Sequence, residues 1–417
     1  MKKIIVISAI VILVSLALVA CGNGGSSGGG DGPSGDITFF YWGDEQRSAM
    51  DNVIGVMKEF APDVNVETTV IPWGQYWTTV QIALASAAEP DVFWVNKNNA
   101  VSFFAAGFAQ EIETYIERDN IDVSVFPQAL QDLYTHEGKL HAIPKDFDTI
   151  ALYYNKALFD AKDVSYPTDS WTWDDLLNAA LQLTEGNVFG FGSTAWGQGM
   201  VFPWILSNGG SILSADGTSF DLDNPGAIEA VQWLIDAMYV HGISPDGASQ
   251  LEMDCFERFQ AGQIAMLTGG SWSVSVYKEM LGDNLGVARL PISQQPSNII
   301  HGLGITMSAR SENKEAAWAL QKAFTIRESG EAQAVAVIPA YTGAESIWVN
   351  NFPELNLQVF IDAAQYATPV PVPTVSSPAQ QAAFDDVLQS IWIQEEDVAT
   401  AFRRLSGEVA TIVAEAE

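Results

Sequence analysis

From Asp36 onward, short strand-like runs alternate with longer runs of helical spacing. Residues 37–42 (ITFFYW) predict a strand that Gly43-Asp44-Glu45 ends, and 47–60 put Met50, Ile54 and Met57 on one helical stripe. Residues 64–70 predict a second strand, 73–87 a second helix containing Tyr76 and Trp77, and 90–96 a third strand. Strands and helices in strict alternation imply an α/β protein with a mostly parallel, doubly wound sheet, whose ligands lie beyond the carboxyl ends of the strands. Trp42, Asp44, Glu45 and Asn96 all fall at such ends.

Residues 141–160 (HAIPKDFDTIALYYNKALFD) join this unit to the next. Pro144 keeps Ile143 out of helix, and from Thr149 the pattern alternates, with Ile150, Leu152 and Tyr154 on one face and Ala151 and Tyr153 on the other. That is a strand crossing between two bodies, with Asp148 at its start as either a solvated turn carboxylate or a group in the cleft. Further on, Thr172 with Asp175 three residues later predicts a helix start, Asn224-Pro225 predicts another, and 300–307 predict a return strand followed by a helix capped by Ser311. Residues 369–378 predict a rigid rim loop, and the final helix carries Val398, Phe402, Leu405, Val409 and Ile412 as a core stripe.

Several of these stretches carry a common signature. The strand followed by WG and an acid, a later W-x-x-Y, the AAEPDV ahead of the third strand, the AIP…LYYNK…LF of the crossing, WTWDDLL at 171–177 and FQAGQIAMLTGGSW at 259–272 occur in an order that resembles the bacterial extracellular solute-binding proteins of the sugar-binding, maltodextrin-binding-protein-like type. The resemblance spans nearly the whole chain beyond residue 35. It implies a two-lobe periplasmic-binding-protein fold of type II, each lobe a doubly wound sheet, with three hinge crossings. The lobes are expected to be 36–148 plus 301–339 and 149–300 plus 340–417. It also implies a monomer that binds a carbohydrate by hinge closure and hands it to an ABC permease, with no cofactor. Asp44 and Glu45 match positions that accept hydrogen bonds from sugar hydroxyls, and Trp272 matches one that stacks on a sugar ring.

Composition narrows the function further. The 417 residues include 13 Trp and carry 51 acidic against 19 basic side chains, a formal charge of −32 that becomes −34 if Lys2 and Lys3 are removed. Nucleic acid and anionic lipid surfaces are therefore disfavoured partners. Lys2-Lys3, an apolar run to Ala20 and Leu18-Val19-Ala20-Cys21 have the form of a lipoprotein signal peptide (1–20). Cys21 is then the expected lipidation site, holding the protein on the outer face of the cell membrane, and the Gly/Ser-rich 21–35 a tether. Cys255 is left without a disulfide partner and is expected to be a small buried apolar residue.

Sugars present hydroxyls at their edges and apolar ring faces, so a site for them needs carboxylates and amides beside aromatic planes. Asp44, Glu45, Asn96 and Asp148 supply acceptors; Trp42, Trp196, Trp272 and Tyr341 supply planes; Gly270, where a backbone can come close or take positive φ, and Gly304 of the return strand complete the expected site. Only eight Arg occur, which argues against an anionic ligand and for a neutral mono- or oligosaccharide. His136 and His141 are five residues apart across a Gly, so zincin geometry is absent, and no metal is expected. Two alternatives use the same residues. A secreted glycoside hydrolase would draw two carboxylates from Asp44, Glu45 and Asp148, and a non-transport sugar receptor would use the closure alone.

Overall fold

The computed structural model describes residues 32–86 and 88–416. The signal segment 1–20, Cys21 and the tether as far as residue 31 lie outside the described residues.

Strand β1 (Gly35–Tyr41) pairs in parallel with β2 (Val64–Val70) and β3 (Val92–Asn96), and helices α1 (Arg47–Phe60) and α2 (Trp73–Ser86) make the crossovers. Helix α3 (Lys97–Ala105) starts where Asn96 Oδ1 accepts the Asn99 N–H, a side-chain cap for an otherwise orphaned backbone donor. The chain then passes through β4 (Ile143–Pro144) and β5 (Asp146–Phe147) into β6 (Ile150–Asn155). Helices α4 (Trp173–Leu183) and α5 (Pro225–Tyr239) follow, then β7 (Met266–Gly270), β8 (Leu285–Ala288), β9 (Ile299–Ile300) and β10 (Leu303–Met307). Helix α6 (Lys314–Ala323), β11 (Ile338–Pro339), β12 (Thr368–Pro369), α7 (Ser377–Trp392) and α8 (Val398–Ala416) complete the frame.

The first sheet has the order β2-β1-β3-β10-β4, with β10 antiparallel to both of its neighbours. The second has the order β8-β6-β7, with β6 antiparallel to both neighbours while Phe189 and Gly192 bridge in parallel to Ile264, just before β7, and to Leu267 within it, so it departs from the doubly wound sheet expected there in the direction of β6. The reason is topological. Strands β7 and β8, joined through the helix Val274–Leu281, run the same way but are split apart by β6 inserted between them in the opposite sense. Side-chain alternation fixes which face a residue takes, and it is silent on strand direction.

Alternation along β6 does sort two cores. Ile150, Leu152 and Tyr154 join the core built on α4, α5, α7 and α8, whereas Ala151 and Tyr153 join a core that continues through Tyr277, Phe360 and the first sheet. Three passages of the chain lie side by side between the sheets. Residues Asp146–Phe147 pair with Ile338–Pro339, and Asp148 bridges to His301 at the β9–β10 turn.

Local chemistry explains most boundaries. Thr172 and Asp175 form a reciprocal capping box, and Asn155 and Asn224 cap the helices that follow them. Ser311, the expected cap of α6, is instead drawn off by tertiary structure. Its hydroxyl donates to Asp91 Oδ1 at 2.5 Å, and α6 begins at Lys314 with no side-chain cap.

Candidate ligand-binding site

The three crossing passages form the floor of a cleft of about 570 Å³. One wall is an aromatic box at the carboxyl end of β1. Trp42 meets Trp73, Tyr76, Trp77 and Trp94 edge to face, with ring centroids 4.6–5.4 Å apart. Trp42 and Trp73 line the cleft, and Trp73 is 55% exposed. The other wall comes from the second sheet, where Trp272 follows β7 and stands perpendicular to Trp196 at 6.1 Å. Four indoles therefore face one cavity from two sides. Such rings bury much apolar area on a partner at little cost in side-chain entropy.

Asp148 sits on the floor and is 9% exposed, so the turn-carboxylate reading does not hold. Its Oδ2 contacts His301 Nδ1 at 3.1 Å, and its Oδ1 accepts from Gln198 Nε2 at 3.3 Å. Gln198 belongs to a π-helical turn, Gly197–Val201, which brings a second-sheet side chain to a hinge carboxylate. With both oxygens engaged, Asp148 is a positioned acceptor rather than a free nucleophile. Burial alone would depress the His301 imidazole, but Asp148 and Asp146 outweigh it and hold His301 above its ordinary value. A raised histidine stabilises the fold fully below its unfolded pKa, and that contribution is lost as pH rises through the folded pKa. Thermal midpoints measured from pH 5.5 to 8.5 should therefore fall more steeply for the wild type than for His301→Gln; parallel curves would show that the pair carries no linked proton.

Of the residues expected from sequence, Trp42, Glu45, Asn96, Asp148, Trp196 and Trp272 line the cavity. Asn96 spends its Oδ1 on the α3 cap, which leaves its amide nitrogen for a ligand. Four others are placed elsewhere. Asp44 points into an exposed ion pair with Arg47 at 2.7 Å. Gly304 is a packing glycine inside β10, where a Cβ would press on Ala142 and the Tyr134 ring. Tyr341 packs edge-on against Phe126 and over Gly330, away from the cavity lining.

Gly270 acts from beneath the wall. Its φ is −81°, so positive φ is not what it provides; instead a Cβ there would fall 2.0 Å from the Trp272 ring. Gly270→Ala should push that indole aside and lower ligand affinity several-fold, with stability changed by less than about 1 kcal/mol because the exposed ring can swing away. Calorimetry beside thermal unfolding checks both halves of that statement.

Sequence reasoning missed Trp73, Asn98, Gln198, His301, Gln381 and Asp385 as lining residues. Trp73 was visible as the first aromatic of the W-x-x-Y stretch. Gln381 and Asp385 lie on α7, more than 330 residues after Trp42 in the chain, and no local pattern marks them. Cys255 is buried, and burial pushes its thiol up to about 12, which leaves it no nucleophilic role at neutral pH. No helix among the described residues is long and apolar enough to cross a membrane.

Comparison with known proteins places this geometry. The model of the family described as "Bacterial extracellular solute-binding protein" matches residues 44–331. A galactooligosaccharide-binding protein of Bacillus subtilis is 25% identical over 326 residues, covering 73% of this chain and 72% of that one. A binding protein of Brucella abortus is 25% identical over 272 residues, and the match spans 63% of its length. Among solved structures, an ABC substrate-binding protein from Listeria monocytogenes in complex with cycloalternan superposes with a TM-score of 0.83 at 24% identity, covering 90% of this chain and 98% of that one. The GacH receptor of Streptomyces glaucescens, solved unliganded and with acarbose, gives 0.79 at 20% identity over 92% and 100%. At these identities the structural likeness establishes the two-lobe fold.

Proposed function

Because this chain belongs to the bacterial extracellular solute-binding proteins, a family of binding proteins rather than enzymes, we propose that it captures a carbohydrate between its two lobes and presents the closed form to an ABC-type importer. The observation that carries this is the single cavity lined by Trp42 and Trp73 on one side and Trp196 and Trp272 on the other, with Asp148 held between them. Ring faces of a sugar stack on the indoles, and its hydroxyls donate to Glu45, Asp148 and Asp385. Anionic ligands are disfavoured, since no Arg or Lys is among the lining residues. The names of the relatives, a galactooligosaccharide-binding and a maltodextrin-binding protein of Bacillus subtilis among them, support an oligosaccharide over a monosaccharide.

Closure follows from contacts that both lobes make to one ligand, because only a difference in affinity between open and closed states shifts their balance. The lobes we assign are 36–148 plus 301–339 and 149–300 plus 340–417, turning about the three passages at Asp146–Asp148, His301 and Ile338–Pro339. The protein acts as a monomer tethered through a lipid on Cys21. A thermal-shift screen of the purified chain against a glycan panel, followed by small-angle scattering of the hits, tests the reading. At least one carbohydrate should raise the midpoint and contract the envelope without being turned over. An unchanged midpoint and envelope across the panel would remove the proposal.

A further inference from the structure

The lining of the cleft is predominantly acidic. It includes four carboxylates, Glu45, Asp146, Asp148 and Asp385, and among its residues the one basic side chain is His301. Two of the acids are already answered. Asp146 is ion-paired with the buried Lys145 beneath the floor, and Asp148 with His301. Among the described residues no Lys, Arg or His forms an ion pair with Glu45 or with Asp385; Asp385 Oδ1 accepts only from the neutral Gln381 amide, at 2.9 Å. The cations nearby in sequence are engaged elsewhere. Arg47 is held by Asp44, and Arg289 lies over the Tyr366 ring. Lys97, between two lining residues, is itself outside the lining, and burial depresses its ammonium.

Glu45 stands on the first-lobe side, in the turn after β1, whereas Asp385 stands on α7, which packs on the second core and against α3 of the first. Each side of the cleft thus brings one unpaired carboxylate. The same cavity is lined by four indoles, whose faces are electron-rich and attract cations. A further acceptor points the same way: Asn98 lines the cavity, and its Oδ1 is fully buried without a hydrogen-bond donor. Burial already pushes the Asp385 carboxyl up, and closing the cleft on a neutral guest would bury it uncompensated and leave Glu45 with only the Lys145 ammonium, already ion-paired to Asp146, in electrostatic reach.

We propose that the ligand is an amine-bearing glycoside, whose ammonium is read by Glu45 and Asp385 from opposite sides while its rings stack on the tryptophans. This rests on the carbohydrate reading and adds a positive charge to it. An ammonium offsets one of the two negative charges as the lobes close, and its three N–H groups can donate to both carboxylates, acceptors that no Lys, Arg or His answers. A sugar hydroxyl donates one hydrogen bond and cancels no charge.

The test uses matched pairs that differ in one group: glucose and glucosamine, galactose and galactosamine, and cellobiose and cellotriose with the corresponding glucosamine oligomers. Their N-acetylated forms serve as uncharged, amide-bearing controls. Calorimetry on the full chain should give the amine member of a pair at least tenfold tighter binding at low salt. That ratio should shrink as salt is raised and fall below threefold in both Asp385→Asn and Glu45→Gln. Neutral members binding as tightly as their amines would overturn the inference and leave the carbohydrate reading standing. A preference that survives both substitutions would remove these two acids from the assignment. If no member of any pair bound while a neutral glycan of the panel did, the inference would fall and the carbohydrate reading stand; if nothing in the panel bound either, both would fall.

Discussion

Replacing Trp272 by alanine is expected to weaken carbohydrate binding by about 2 kcal/mol or more, roughly thirtyfold in the dissociation constant, while the fold survives. The two halves of that expectation have different origins. Trp272 is 38% exposed and leans on Trp196 through an edge-to-face contact at 6.1 Å, so truncation costs the free protein little packing. In the complex the same indole is covered by ligand, and its removal forfeits the whole of that burial. Calorimetry with the best-binding glycan, beside thermal unfolding of the free protein, separates the two. An unchanged dissociation constant would take Trp272 out of the site. Tyr341, which the structure seats away from the cavity, provides the contrast, since Tyr341→Phe should leave affinity where it was.

The difference between Trp272 and Tyr341 shows what the amino-acid sequence can and cannot convey here. Strands β1 to β3, α1, and the helix starts at Thr172 and Asn224 depend on interactions within a few residues, and all were legible. Trp42 and Trp272 were legible because motif and strand end coincide. Asp44 and Glu45 are adjacent acids in one short turn, and only the fold decides between them, by handing Asp44 to Arg47. Ser311 was read as a cap, but Asp91, far away in the chain, competes for its hydroxyl. Gln381 and Asp385 reach the cleft because α7 packs back against α3, a contact with no local signature. The family match ends at residue 331, before α7, and none of the motifs that carry the resemblance includes them. The reversed direction of β6 was hidden for the reason that hides most sheet topologies: alternation reports faces, and long-range pairing chooses direction.

The largest loss of stability is expected from Lys145→Met, at about 3–5 kcal/mol, the range for breaking one side of a buried ion pair. Lys145 is 1% exposed. Its ammonium is ion-paired with Asp146, donates to Gln46 Oε1 at 3.1 Å and lies over the Trp94 ring, 4.2 Å from the centroid. Burial depresses that ammonium, and the neighbouring Asp146 carboxylate opposes the effect. Methionine fills a similar volume, but it strands the Asp146 carboxylate in the interior with Asp148 two residues away. Asp146 is held in place, because its Oδ1 also accepts the Leu303 N–H at 2.8 Å and so ties β5 to β10. Adding Asp146→Asn should restore much of the loss: the amide oxygen keeps the Leu303 bond and no lone charge remains. Urea unfolding checks this through a midpoint that falls in the single variant, with its slope unchanged, and recovers in the double. A single variant within about 1 kcal/mol of the wild type would mean that the pair is not ionised in the folded protein. Since Asp146 lines the cleft and Lys145 answers it from beneath, the charge balance that steadies the hinge also sets how acidic a face the cavity shows its ligand.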